Sequence, residues 1–200
     1  MIEKEYLLRI ITHSNSESEL LDIVRKYLIH GTPYVFNNRE NEYFEFRNLI
    51  AQHFMGTSFY EVFIMGSAKL GYSYHKDSVF SYDSDIDVAI VNPMLFYQYA
   101  NAVRSFQYAC EAGGISMFQR ERDDYHKFLE YMIKGWMRPD KLPWKGCGEL
   151  KTDWFDFFKS ISNGKSVVGN YQVSAALFRD YTSLEIYYME SLKRIKISKI

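Results

Sequence analysis

The chain reads in the order helix, helix, strand, strand, helices, strand, helix, which predicts an α+β fold: a small mixed β-sheet with several packed helices. Three observations carry that prediction. Apolar residues recur at helical spacing in long stretches, two short runs near residues 59–65 and 85–91 are apolar and rich in β-branched or aromatic side chains, and Gly, Pro and Asn punctuate the gaps. A chain of 200 residues and 23.7 kDa buries about 70% of its unfolded surface, enough for one self-standing domain. Its expected parts are N-terminal helices over 1–57, a core over 58–92, a helical insertion over 94–163, and a C-terminal strand and helix over 170–197.

Ser16 with Glu19 forms a capping box for an amphipathic helix carrying Leu20, Leu21, Ile23, Val24 and Leu28, which stops at Gly31. Asn38 is a candidate cap for a second helix through about Phe54. Residues 59–65 (FYEVFIM) read as a strand closed by Gly66-Ser67, residues 72–84 as loop, and 85–91 (DIDVAIV) as a second strand ended by Asn92-Pro93. Helices follow over 94–112 and 123–134. The stretch GWMRPDKLPWKGCG holds too many breakers for regular structure. Thr152 caps a short aromatic helix, 172–179 is a third strand, and Thr182 is a candidate cap for a last helix to about Ile195.

Composition narrows the functional classes. Lys plus Arg is 24 against Asp plus Glu 25, so the whole molecule has no net field for gripping a polyanion, and any such ligand must be held locally. Two cysteines, Cys110 and Cys147, make no disulfide framework, and no apolar run of about 18 residues offers a membrane span. The opening MIEKEYLLRI places acids where a signal peptide needs basic charge, so a cytoplasmic location is expected, with no membrane partner. Aromatic residues, 18% of the chain, suit a dense core or base stacking equally.

The informative stretch is FIMGSAKLGYSYHKDSVFSYDSDIDVAIV. Asp85 and Asp87 alternate on a predicted strand, so both carboxylates leave one face while Ile86, Val88 and Ile90 leave the other. With Cβ atoms roughly 6–7 Å apart, two oxygen ligands of this kind suit Mg²⁺ or Mn²⁺ and can bracket a pair of ions. Uncompensated, the two acids repel and one would take up a proton, so a cation or a basic partner is physically required. Gly66-Ser67 ends the preceding strand in a sharp turn, where backbone N–H groups and the Ser67 hydroxyl can meet a phosphate and Lys69 can add charge.

A strand, Gly-Ser, then Ser84-Asp85-Ile86-Asp87 and an apolar strand resembles the DNA polymerase beta-like nucleotidyltransferase superfamily. The resemblance implies a sheet of the nucleotidyltransferase type, triphosphate contacts at Gly66 and Ser67, with Lys69 and Ser84 beside them, and metal on Asp85 and Asp87. The implied reaction moves a nucleoside monophosphate from a nucleoside triphosphate to a hydroxyl and releases pyrophosphate. Acceptors open to such an enzyme are a partner protein, a nucleic-acid end, a second nucleotide or a small molecule. The spacer from Ala68 to Ser84 is longer than the family's usual one, making 72–79 an extended loop placed to cover the nucleotide. The family's third carboxylate, which activates the acceptor hydroxyl, falls best on Asp180, with Asp153 and Asp156 as alternatives on a helix. Without a third acid, the same fold would serve as an inactive nucleotide-binding regulatory module. The late segment LFRDYTSLEIYYMESL, with GWMRPDKLP before it, is similar to small bacterial nucleotidyltransferases, some of them in toxin–antitoxin or phage-defence operons.

Other motifs carry less. Asp83-x-Asp85-x-Asp87 lacks the glycine and glutamate of a calcium loop, and Gly164-Lys165-Ser166 lacks the earlier glycine of a P-loop. No histidine lies in metal-binding spacing. Arg120, Arg122, Lys134 and Arg138, with Tyr125 and Trp136, form a basic aromatic group able to grip an acceptor or a base, or simply to present a solvated helix face. The stripe Leu184, Tyr187, Tyr188, Leu192 reads as a helix packing on the core.

Overall fold

The computed structural model describes residues 2–76 and 78–198, without the side chain of residue 198. Among them are eight α-helices, a four-stranded mixed sheet and a small hairpin, an α+β architecture. The first helix, α1 (Lys4–His13), was not expected from the sequence; it is amphipathic and buries Leu7 and Ile11. The second, α2 (Glu17–Ile23), starts where Ser16 accepts a hydrogen bond from the Glu19 N–H, and continues through a π-helical stretch Val24–Ile29. The expected capping box is only half formed, because the Glu19 carboxylate accepts from the N–H of Asn15, one residue before the cap. The helix α3 (Glu40–His53) begins two residues after Asn38, which takes a left-handed backbone (φ 59°) and so cannot act as its cap.

Strand β1 (Val62–Met65) is shorter than expected because Phe59–Glu61 forms a 3₁₀ turn capped by Ser58. A five-residue helix, α4 (Gly66–Leu70), follows at once, and 72–79, expected as loop, holds the hairpin β2 (Tyr72–Ser73) and β3 (Ser78–Val79). Then come β4 (Ile86–Val91) and α5 (Pro93–Glu111), whose first turn is held by the Asn92 side chain accepting from the Leu95 N–H. Helix α6 (Gln119–Ile133) is followed by β5 (Trp136–Met137). The breaker-rich stretch contains this strand and the start of α7 (Trp144–Ser160), which accommodates Gly146 by a kink with left-handed backbone there. The chain closes with β6 (Val173–Phe178) and α8 (Tyr181–Ser198).

The main sheet has the order β1-β4-β6-β5. β4 pairs antiparallel with β1 and parallel with β6, and β5 pairs antiparallel with β6. One face, with Ile86, Val88 and Ile90, packs under α3, α5 and α7 around Phe46, Phe106 and Trp154. The other, with Met65, Ala89 and Val91, packs under α1, α2 and α8 around Leu7, Leu184 and Leu192. Both faces are therefore covered, which is why β4 and β6 read as nearly continuous apolar runs. No helix of the described residues is long and apolar enough to cross a membrane.

Candidate active site

Alternation along β4 puts Asp87 on the face of Ala89 and Val91, at the strand's N-terminal end where the helical cover gives out. β1 runs antiparallel alongside with Met65 opposite Asp87, so the next residue, Gly66, turns directly against that carboxylate. Gly66 has φ 63°, and a Cβ built there would stand 2.8 Å from Asp87 Oδ2. Only a glycine accepts both the left-handed backbone and this approach.

On its other side Asp87 meets β6. The parallel register places Ser174 beside it, and the Ser174 hydroxyl donates to Asp87 Oδ1 at 3.4 Å. Asp85 is exposed and stands just ahead of β4 instead of within it; its charge reaches Asp87, but it does not line the cavity. Neither acid has an ion-pair partner among the described residues. Asp87 keeps solvent access and opens onto a cavity whose walls crowd its carboxylate. That burial first, and Asp85 second, raise its carboxyl above the ordinary range, against the Ser174 hydrogen bond and the fields of Arg138 and Lys76.

The cavity has a volume of about 970 Å³ and runs from Gly66 and Asp87 along the edge of β6. β5 pairs only with Leu177 and Phe178, so Ser174, Ala175 and Ala176 are left to line it. Its Asp87 end is walled by Tyr74 and His75 of the hairpin and by Tyr187 and Tyr188 of α8. His75 Nε2 and Ser191 Oγ are 2.7 Å apart, tying the hairpin to α8. The far end is walled by α6, the segment after β5 and the start of α7.

Other residues expected at the site lie elsewhere. Lys69 is buried and turns its ammonium to the carbonyls of His30 and Gly31, closing the end of the π-helical stretch; burial, with the field of Arg47, takes it down to about 8. Ser67 is half-buried in α4, makes no hydrogen bond through its hydroxyl among the described residues, and does not line the cavity. The Ser84 hydroxyl accepts from the Ser81 N–H and shapes the turn ahead of Asp85. Asp180 follows the opposite end of β6, six residues beyond Ser174 and therefore about 20 Å along the strand from Asp87. There it caps α8, accepting from the N–H and hydroxyl of Ser183 at 2.7 Å and pairing with Arg179 Nε at 2.8 Å. Asp153 and Asp156 sit on α7, with Asp153 3.2 Å from His53 Nε2 and neither in the cavity wall. A loop-terminal acid after a strand marks a helix cap as readily as a catalytic group, and the sequence alone does not distinguish them.

Of the basic aromatic group, Arg120, Tyr125, Trp136 and Arg138 line the cavity and Arg122 and Lys134 do not. Ser174, Tyr74, Tyr187 and Tyr188 are site residues that the sequence reading overlooked; for Ser174 the signal was its place at the start of the third predicted strand, beside the acids once the strands pair in parallel.

Asp85 and Asp87 are hard oxygen donors two residues apart with no competing cation bonded to them, which fits Mg²⁺ or Mn²⁺. No group of three or more His, Cys, Asp or Glu side chains suited to a metal occurs among the described residues, so these two acids would be joined by water and ligand oxygens, the arrangement Mg²⁺ favours with phosphates. Comparison with protein-family models, with curated proteins and with solved structures finds no match.

Proposed function

We propose that this protein is a Mg²⁺- or Mn²⁺-dependent nucleotidyltransferase that moves a nucleoside monophosphate from a nucleoside triphosphate to an acceptor hydroxyl. The observation that carries the reading is the contact between Gly66 and Asp87: a glycine bend with room for no side chain, set against one of two uncompensated acids at the mouth of a large cavity. Asp85 and Asp87 would hold the metal, which on binding supplies charge to neutralise the triphosphate. Gly66 lets the backbone come close to the phosphates without a side chain between. Arg138 and Lys76, whose fields already reach Asp87, add cationic charge near the departing pyrophosphate. Tyr74, Tyr187 and Tyr188 wall that end of the cavity, where positioning and electrostatics would supply the rate.

The test is incubation with each of labelled ATP, GTP, CTP and UTP, with and without Mg²⁺ or Mn²⁺. Metal-dependent binding that Asp87→Asn removes, with pyrophosphate release, is the expected result. Absence of metal-dependent binding for all four would overturn the reading.

A second reading is favoured by Ser174, which stands in the neighbouring-strand position beside Asp87 where a third carboxylate would otherwise complete the set. On that reading the chain is an inactive nucleotide-binding regulatory module. Metal-dependent binding without pyrophosphate or labelled product distinguishes it.

A further inference from the structure

The geometry points to the α6 wall of the cavity as the site of the acceptor, and to the acceptor as the 3′ end of a single-stranded nucleic acid, an inference that rests on the nucleotidyl-transfer reading. Arg120, Asp124, Lys127 and Tyr131 recur at i, i+4, i+7 and i+11 on α6, all exposed and all lining the cavity, so one face of this helix looks into it. From Arg120 to Tyr131 the stripe spans about 16 Å, room for several phosphates at the roughly 3.4 Å spacing of a stacked strand. Neither Arg120 nor Lys127 has an ion-pair partner among the described residues.

The facing wall repeats the theme. Lys151 Nζ lies 4.6 Å from the ring centre of Trp144, an indole 63% exposed, and both line the same cavity with Lys141 and Lys145. Of the carboxylates on these walls, Asp140 is engaged with Arg138 at 2.9 Å and Lys141 at 3.8 Å and Glu121 with Lys145 at 3.6 Å, while Asp124, on the stripe itself, has no ion-pair partner among the described residues. Among the described residues these walls thus carry three cations without an ion pair, Arg120, Lys127 and Lys151, against one unpaired acid, Asp124, together with exposed rings, the pairing by which proteins hold single strands: charge for the phosphates, rings for the bases.

The track leads to the acids. Tyr131, at the inner end of the stripe, stacks on Trp136 with ring centres 4.4 Å apart, and Trp136 meets Tyr187 at 4.9 Å. Tyr187 in turn senses the charges of Asp87 and Arg138. A strand lying along α6 therefore delivers its last nucleotide past stacked rings to Asp87. There the 3′ oxygen bonds to the α-phosphorus as the α–β phosphoanhydride bond breaks; pyrophosphate leaves and the hydroxyl proton passes to water.

The experiment measures fluorescence anisotropy of labelled single-stranded RNA and DNA of about 12 nucleotides of mixed sequence on the full chain. Arg120→Glu with Lys127→Glu should weaken binding about tenfold or more at low salt and flatten its salt dependence, each lost phosphate contact removing about 0.7 from the slope. Lys159→Glu with Lys165→Glu makes the same change of net charge at exposed positions outside the cavity and should shift binding less than about twofold. With Mg²⁺ and triphosphates, the labelled strand should lengthen. Metal-dependent triphosphate binding without strand binding, or equal losses in the two double variants, overturns the acceptor assignment alone. Strand binding without metal-dependent triphosphate binding overturns the nucleotidyl-transfer reading and the acceptor role with it.

Discussion

Ser174 and Asp87 are direct neighbours in the parallel ladder of β4 and β6, and the serine hydroxyl donates to Asp87 Oδ1 at 3.4 Å. A carboxylate at position 174 would share the cavity with Asp87, which already feels the charge of Asp85. Ser174→Asp should therefore tighten Mn²⁺ binding and, without metal, lower thermal stability through like-charge repulsion. Ser174→Ala should weaken metal binding by about tenfold or less, the low end for loss of a hydrogen bond to a ligating group. Isothermal titration with Mn²⁺ reads both; equal affinities across the three proteins would remove Ser174 from the site.

Asp87 without metal is a cost to the fold. Its carboxyl is raised by burial and by Asp85, so the native state binds that proton more tightly than the unfolded chain does. The sign follows: stability falls as pH rises from the ordinary carboxylate range through the raised native value, and the cost is fully present above it. At neutral pH and in chelator, Asp87→Asn should melt at or above the wild type. Metal at about ten times its Kd should add ~1.4 kcal/mol, roughly 3–6 °C, to the wild type and nothing to Asp87→Asn. The same shift makes metal binding weaken as the solution is acidified through the Asp87 carboxyl. A wild type that melts identically with and without metal would contradict this account.

Gly66→Ala tests the bend. A left-handed backbone costs an alanine roughly 1–2 kcal/mol, and its methyl group must push Asp87 Oδ2 aside from 2.8 Å. The carboxylate is the end of a movable side chain, so the expected outcome is a folded protein with modestly lower melting temperature and lost metal-dependent nucleotide binding. Retained binding would show that the close approach is structural only.

Lys69 and Asp180 should behave as framework residues. Lys69→Met leaves two carbonyls at the end of the π-helical stretch without their donor, a loss of about 1–3 kcal/mol, with metal binding unchanged. Asp180→Ala removes the α8 cap, a loss of about 1 kcal/mol, also with metal binding unchanged. Partial burial opposes ionisation of Asp180, but Arg179 and Ser183 together hold its carboxyl below the ordinary range. Its stabilisation is thus present above the unfolded carboxyl value and lost as pH falls through the native one. Denaturation curves and Mn²⁺ titrations check both variants; a loss of metal affinity in Asp180→Ala would return that residue to the site.

Much of this architecture was legible in the residues. β-branched and apolar runs announced β4 and β6, Ser16 and Asn92-Pro93 marked helix starts, and alternation placed Asp87 opposite the face of Ile86 and Val88. Those signals are local, set by backbone sterics, side-chain period and nearby hydrogen bonds. Helix α1 does carry a helical period over its ten residues, but the two-residue strands β2, β3 and β5 were not legible, since so few residues carry no period and owe their conformation to neighbours distant in the chain.

The site was divided in the same way. Which residues could hold a cation or border a phosphate follows from residue type and spacing within 63–91. Which groups join them was decided by strand register and helix packing: parallel pairing brings Ser174 to Asp87 and carries Asp180 about 20 Å off, and the turn of α4 buries Lys69 against a distant carbonyl pair. Contacts between residues 87 and 174, or 69 and 30, depend on how whole elements dock to bury apolar surface, and no short window of sequence contains that information.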